Sequence, residues 1–202
     1  DSITIHLRED RRHIKDLDFK KIKKIKKIPI NLELAANNKM LKIALKNKPN
    51  FVCIVPENRK EITTEGGLNI KKNIKKVSMI INKLNQNKIR TSLFINPNLK
   101  DVKLAKKIGS RCIEIHTGKI SNKIKNKQSY VKDLENIKKC AKLGKLLGLE
   151  VHAGHGIDYK TAKILSRIKE IEEFNIGHFI IGESIFDGFK HTIKKFKRII
   201  KS

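Results

Sequence analysis

Tryptophan is absent from the 202 residues, and two Tyr and eight Phe supply the remaining large rings. A stacking platform for single-stranded nucleic acid is therefore poorly furnished. Acidic residues are also scarce, 20 against 47 Lys and Arg, which leaves a net charge of +27. Such a charge can signal a nucleic-acid partner. The lysines, however, are scattered along nearly every presumed helix (Lys20 to Lys27, Lys71 to Lys76, Lys190 to Lys201) instead of gathered in one segment. They read as solvated faces, and no specific nucleic-acid partner is expected. Cysteine occurs only at positions 53, 112 and 140, each in an apolar stretch and without metal-site spacing. Reduced core residues of a cytoplasmic protein are the expectation, with no disulfide framework and no metal. No apolar run approaches the ~18 residues of a membrane span, so no membrane partner is expected. The opening residues Asp1 to His6 lack signal-peptide architecture.

What is present is an alternation. Short runs rich in β-branched and apolar residues recur at Ser2–Leu7, Ile30–Leu34, Phe51–Val55, Ile89–Ile95, Cys112–His116, Glu150–Ala153 and Phe174–Ile176. Between them lie lysine-rich segments with apolar residues every three or four positions. Ile74, Val77, Ile81 and Leu84 form one such stripe; Phe186, Phe189, Ile193, Phe196 and Ile200 form another, and both are expected to face the core. Pro49, Gly109 and Gly148 mark helix ends. Strand–helix alternation predicts a parallel α/β sheet in one domain spanning residues 1–202. A (β/α)₈ barrel has eight strands; seven are visible here, with the first at the start of the chain. The expectation is a TIM barrel whose opening strand–helix unit is missing.

Strand periodicity sorts the faces. Ile3, Ile5 and Leu7 oppose Ser2, Thr4 and His6; Leu32 opposes Asn31 and Glu33; Ile113 and Ile115 oppose Cys112, Glu114 and His116. Val151 and Ala153 oppose Glu150 and His152, with His155 just beyond. One face is thus built to pack helices, and the other carries carboxylates and imidazoles near the strand ends. Charge is costly inside a barrel, so these groups mark a polar pocket. His6 and His155 can exchange protons near neutral pH, and Glu33 or Glu114 can do so if burial raises their pKa. Arg8, Arg11, Arg12 and His13 follow the first strand, where a loop can clamp phosphate, or can simply form a surface cluster with Glu9 and Asp10. Thr63 to Gly67 offers hydroxyl and amide donors. Gly154-His155-Gly156 and Gly177-His178 follow the last two strands, where barrels often bind phosphate through backbone amides, commonly at a short extra helix; Phe179 to Gly182 is the expected turn. A zinc site at His152 and His155 lacks a fixed third ligand and is disfavoured.

Taken in order, HLREDRRHI (His6–Ile14), NLE (Asn31–Glu33), VPE (Val55–Glu57), TTEGG (Thr63–Gly67), SLFI (Ser92–Ile95), EIHTG (Glu114–Gly118), AGHG (Ala153–Gly156) and NIGH (Asn175–His178) resemble the pyridoxine 5′-phosphate synthase family. The resemblance runs from the first residue almost to the last. It implies a barrel with extra helices, assembled as a homo-octamer, that condenses 3-amino-2-oxopropyl phosphate with 1-deoxy-D-xylulose 5-phosphate. The products implied are pyridoxine 5′-phosphate, phosphate and water, made without a redox or organic cofactor. By the same resemblance His6 and Glu33 are proton acceptors, His155 is a proton donor, and Glu114 is a further active-site carboxylate. Arg8, His13 and Thr63 match positions that hold the deoxyxylulose phosphate, and Gly156, Gly177 and His178 match those that hold the aminooxopropyl phosphate. The chain departs from the family in two places. The substrate-contacting Asn, Asp, His and Arg of the family's first strand–helix unit have no counterpart here, and His152 stands where the family has Asn. Competing readings are another phosphate-binding barrel lyase or isomerase, against which stands the lack of a central strand lysine for a Schiff base, and a basic nucleic-acid-binding protein.

Overall fold

The computed structural model describes residues 1–25, 27–57 and 66–201. Seven runs fold as parallel strands: β1 (Ile3–His6), β2 (Ile30–Ala35), β3 (Phe51–Val55), β4 (Arg90–Ile95), β5 (Cys112–His116), β6 (Glu150–Gly154) and β7 (Glu173–Asn175). Each pairs with the next, so the order in the sheet is the order in the chain. Helices α1 (Asp16–Lys23), α2 (Asn38–Asn47), α3 (Ile74–Gln86), α4 (Leu99–Lys107), α5 (Gly118–Lys125), α6 (Val131–Leu146), α7 (Tyr159–Leu165), α8 (His178–Asp187) and α9 (Phe189–Lys201) surround it. Sequential parallel strands with helical crossovers define a nearly closed (β/α) barrel of the TIM type. Across the seam, Thr4 of β1 donates through Oγ1 to Asn175 Oδ1 of β7 at 2.9 Å.

The strand alternation works as expected. Ile5, Leu32, Leu34, Val52, Ile54, Leu93, Ile95, Ile113, Ile115 and Val151 point outward and are buried against the helices in one continuous core. α3 contributes Val77, Ile80, Ile81 and Leu84, all with no exposed surface. Fully burying one such side chain is worth about 1.5–3 kcal/mol. A second, much smaller apolar cluster of Cys53, Val55 and Phe94 lies apart from this core. These residues alternate with the outward-facing ones, so they and the polar Asn31, Ser92, Glu114 and His152, all buried, occupy the inner face. The three cysteines are buried free thiols.

Local chemistry fixes where helices start and stop. Asn37 caps α2 by accepting from the Met40 amide at 2.8 Å, and Asp158 caps α7 by accepting from the Thr161 amide at 2.7 Å. Lys48 takes a left-handed φ of 47° directly before Pro49, ending α2. The C-terminal stripe departs from expectation. Gly188, with φ 77°, divides it into α8 and α9. Phe196 is buried, whereas Phe186 and Phe189 are 87% and 60% exposed. A single helical period cannot run through the break, so the stripe is two faces. The expected turn at Phe179–Gly182 is instead the first half of the ten-residue α8.

Candidate active site

His6 ends β1 and is paired in register with Glu33 on β2. Its Nδ1 lies 3.5 Å from Glu33 Oε2, and its Nε2 lies 3.0 Å from Glu57 Oε1. Glu57 also accepts from the Glu9 backbone amide at 3.0 Å. Burial alone would raise the Glu57 pKa, but the hydrogen bonds from His6 and the Glu9 amide, with Arg8 nearby, bring it below the ordinary value. Glu33 goes the other way: burial lifts its pKa, with only partial opposition from His6. The His6 ring thus lies between two carboxyls with opposite tendencies, Glu57 at Nε2 favouring its ionised form and Glu33 at Nδ1 favouring its acid form. Glu57 was visible in the sequence only as the end of VPE; its role depends on a contact across 51 positions that spacing does not reveal.

Glu114 sits inside the barrel on β5. Asn175 donates through Nδ2 to its Oε2 at 2.9 Å, and the Cys53 thiol lies 3.7 Å from the same oxygen. Asn175 accepts in turn from Thr4, whose hydroxyl accepts from Asn31 Nδ2 at 3.2 Å. This chain of bonds crosses the interior and holds the carboxyl in one place. Burial, then the charge of Glu33, push the Glu114 pKa well above the ordinary value. Gly154 makes room for it, since a Cβ there would collide with Glu114 Oε1.

His155 and Gly156 turn the chain at the end of β6 with φ of 79° and 74°. A left-handed histidine is a strained residue held by its surroundings. The holding group is Thr117: its amide donates to Gly154 O at 2.9 Å, and its Oγ1 lies 2.8 Å from that oxygen and 2.7 Å from His155 O. Gly154 pairs with Asn175 in the β6–β7 register, so Gly156 and Gly177 lie at matching positions of neighbouring exit loops. Gly177 precedes α8, and His178 is its first residue. The first-turn amides of a helix have no partners within it and favour anions. Both Gly177 and His178 are exposed.

The arginines after β1 divide. Arg11 pairs with Asp16 at 2.8 Å and Arg12 with Asp10 at 2.6 Å. Arg8 is 3% exposed and is close enough to Glu57 to lower its pKa. His13 is exposed on the same loop. Thr63 lies outside the described residues. His152 and His155 are not brought together: His152 faces Glu150 and Glu173 in the lower barrel, with Nδ1 3.4 Å from Glu173. There Cys112, Glu150 and His152 offer ligand atoms within 4.8 Å of one another. The Arg90 guanidinium already occupies the Glu150 carboxylate and stacks on Phe51 at 3.9 Å, so this layer reads as a charge-paired floor.

A parallel barrel with His6, Glu33, Glu114 and His155 on or just beyond its strands, and two glycine corners opening beside them, defines a (β/α)-barrel enzyme of the acid–base kind. The family model described as pyridoxal phosphate biosynthesis protein PdxJ matches residues 1–202. A pyridoxine 5′-phosphate synthase of Pelagibacter ubique is 64% identical over 198 residues, covering 98% of this chain and 83% of that protein. The synthase of Zymomonas mobilis is 45% identical over 200 residues, covering 99% and 77%. The chain belongs to the PdxJ family and is an enzyme of pyridoxal phosphate biosynthesis. Among solved structures, one titled native KDPGal superposes with a TM-score of 0.68 at 10% identity, covering 100% of this chain and 84% of that one. The BexX/CysO complex of Amycolatopsis orientalis gives 0.65 at 9%, covering 98% and 78%; at such identity both attest the fold alone.

Proposed function

We propose that the protein condenses 3-amino-2-oxopropyl phosphate with 1-deoxy-D-xylulose 5-phosphate to pyridoxine 5′-phosphate, phosphate and water. The observation that carries this reading is the convergence of several proton-transfer groups, with pKa values pushed apart, in a family of pyridoxine 5′-phosphate synthases. Closing a pyridine ring from an amine and two carbonyl compounds requires imine formation, enolisations, dehydrations and loss of phosphate. Each step moves a proton, so one pocket needs several acids and bases. His6, paired to Glu33 and Glu57, takes protons; His155, at the strained corner, returns them; Glu114, pushed towards its acid form by burial, donates a hydrogen bond to developing negative charge. Two phosphorylated substrates need two anion sites. Arg8 with His13 and Thr63 serves one, and Gly156 with Gly177, His178 and the start of α8 serves the other.

The protein acts in the cytoplasm as a homo-octamer on this reading. Its buried reduced thiols and the exposed Ile181, Ile185, Phe186 and Phe189 support that. No described helix is long and apolar enough to cross a membrane. The purified enzyme, given both substrates, should release phosphate and form pyridoxine 5′-phosphate. Absence of product from folded protein overturns the proposal. His6→Asn, Glu33→Gln and His155→Asn should each lower kcat by about 10²–10⁴-fold, the usual worth of a positioned acid or base; wild-type rates in all three would remove the role assignments.

A further inference from the structure

His116, the middle residue of EIHTG, has no place in the chemistry above, yet its surroundings are more constrained than those of an ordinary strand end. Its ring packs edge-on to Phe94, with centroids 5.3 Å apart at 80°, and lies against His155, with centroids 5.0 Å apart at 46°. On the third side is Gly118, the first residue of α5. A Cβ at Gly118 would stand 2.7 Å from His116 Nε2 and 2.7 Å from His155 Cδ2. The absent side chain is what lets the two imidazoles share the space. His116 and Gly118 flank Thr117, whose hydroxyl holds the carbonyl of His155. Three consecutive residues therefore fix His155: His116 by its ring, Thr117 by its hydroxyl and Gly118 by leaving room.

We propose that His116 is the positioning residue for His155, wedged between Phe94 and the His155 ring so that the donor imidazole keeps one orientation at the barrel mouth. The inference rests on the reading of His155 as proton donor. Two imidazoles in contact cannot both be charged without repulsion. Burial first, and the charge of His155 second, bring the His116 pKa down to about 4. His116 thus stays neutral near neutral pH. Among the described residues packed on the His116 ring, His155 is titratable, whereas Phe94, Thr117 and Gly118 bring no charge. Its Nε2 is buried with no hydrogen-bond partner among the described residues. A wedge of this kind needs a flat ring far more than it needs a nitrogen.

The test is steady-state kinetics of the purified enzyme with both substrates across a pH series. His116→Ala should lower kcat at least tenfold while both KM values stay within about threefold, because binding groups are untouched and only the donor's alignment is lost. The pH limb that belongs to His155, identified as the one His155→Asn abolishes, should move in His116→Ala. His116→Phe, which restores the flat ring, should recover most of kcat and return that limb to its place. Gly118→Ala is the second route: it leaves His116 intact, suits the start of a helix, and drives a methyl group between the rings. It should reproduce the kcat loss with retained KM. Wild-type kcat and an unmoved limb in both His116→Ala and Gly118→Ala overturn the proposal, as does His116→Phe being as impaired as His116→Ala. If His155→Asn itself turns over normally, the donor assignment has failed, a result distinguishable from failure of the wedge.

Discussion

Single carboxyls at this site are told apart by what surrounds them. Glu33, Glu57 and Glu114 are the same chemistry in similar positions, yet Glu57 is held ionised by donors while Glu33 and Glu114 are pushed towards the acid form by burial. Separating pKa values in this way lets one pocket hold an acid and a base at one pH. Glu114 also bears on stability. Its folded-state pKa lies above the ordinary 4.5; below that pH both states are protonated, and as pH rises the unfolded carboxyl ionises first, so stability is lost. Glu114→Gln keeps the acceptor for Asn175 and cannot ionise. It should raise Tm near neutral pH, change it little at about pH 4, and lower kcat at least tenfold; thermal denaturation and kinetics on the same variant read both.

Elements carried the most legible information. All seven strands lie within about a residue or two of where alternation and turn residues place them, because an outward face that packs helices must be apolar at every second position. His6, Glu33 and Glu114 were readable for the same reason: they break that alternation on the inner face. Less was visible where function depends on contacts between distant segments. Glu57 reaches His6, and Thr117 reaches the β6 corner, through the barrel's closure, and neither has a periodic signal. The C-terminal stripe misled because Gly188 turns the backbone within an apparently continuous helical period. Thr117 shows how a loop after one strand stabilises the loop after another. Thr117→Val preserves shape and the amide bond to Gly154 O but removes the hydroxyl. It should cost about 1 kcal/mol of stability and lower kcat roughly tenfold with KM little changed; a variant with full turnover would show that the His155 corner holds itself.

The whole molecule sets an apolar shell of strand and helix faces around a barrel interior that is polar at both ends, while its excess of 27 positive charges favours approach of negatively charged, phosphorylated molecules. The cost of that interior is a dependence on pH. His116 at the catalytic mouth and His152 at the floor both titrate near 4 in place of the ordinary 6.5. For His152, burial and Arg90 outweigh the neighbouring carboxylates. A histidine depressed on folding is neutral in the native state while the unfolded chain already takes up its proton. Between about pH 6.5 and 4 the unfolded state thus binds more protons, and stability falls as pH falls through that window. Urea denaturation at a series of pH values should show this decline. His152→Asn removes one of the two groups while leaving an uncharged polar side chain between Glu150 and Glu173, so the slope should flatten and the remainder should trace to His116. Because the His152 nitrogens face Glu150 and Glu173 and not the His155 corner, kcat should stay within about threefold of wild type. A variant that keeps the full slope would show that acid lability arises elsewhere, and one that loses turnover would show that the His152 layer is coupled to Glu114, its register partner on β5.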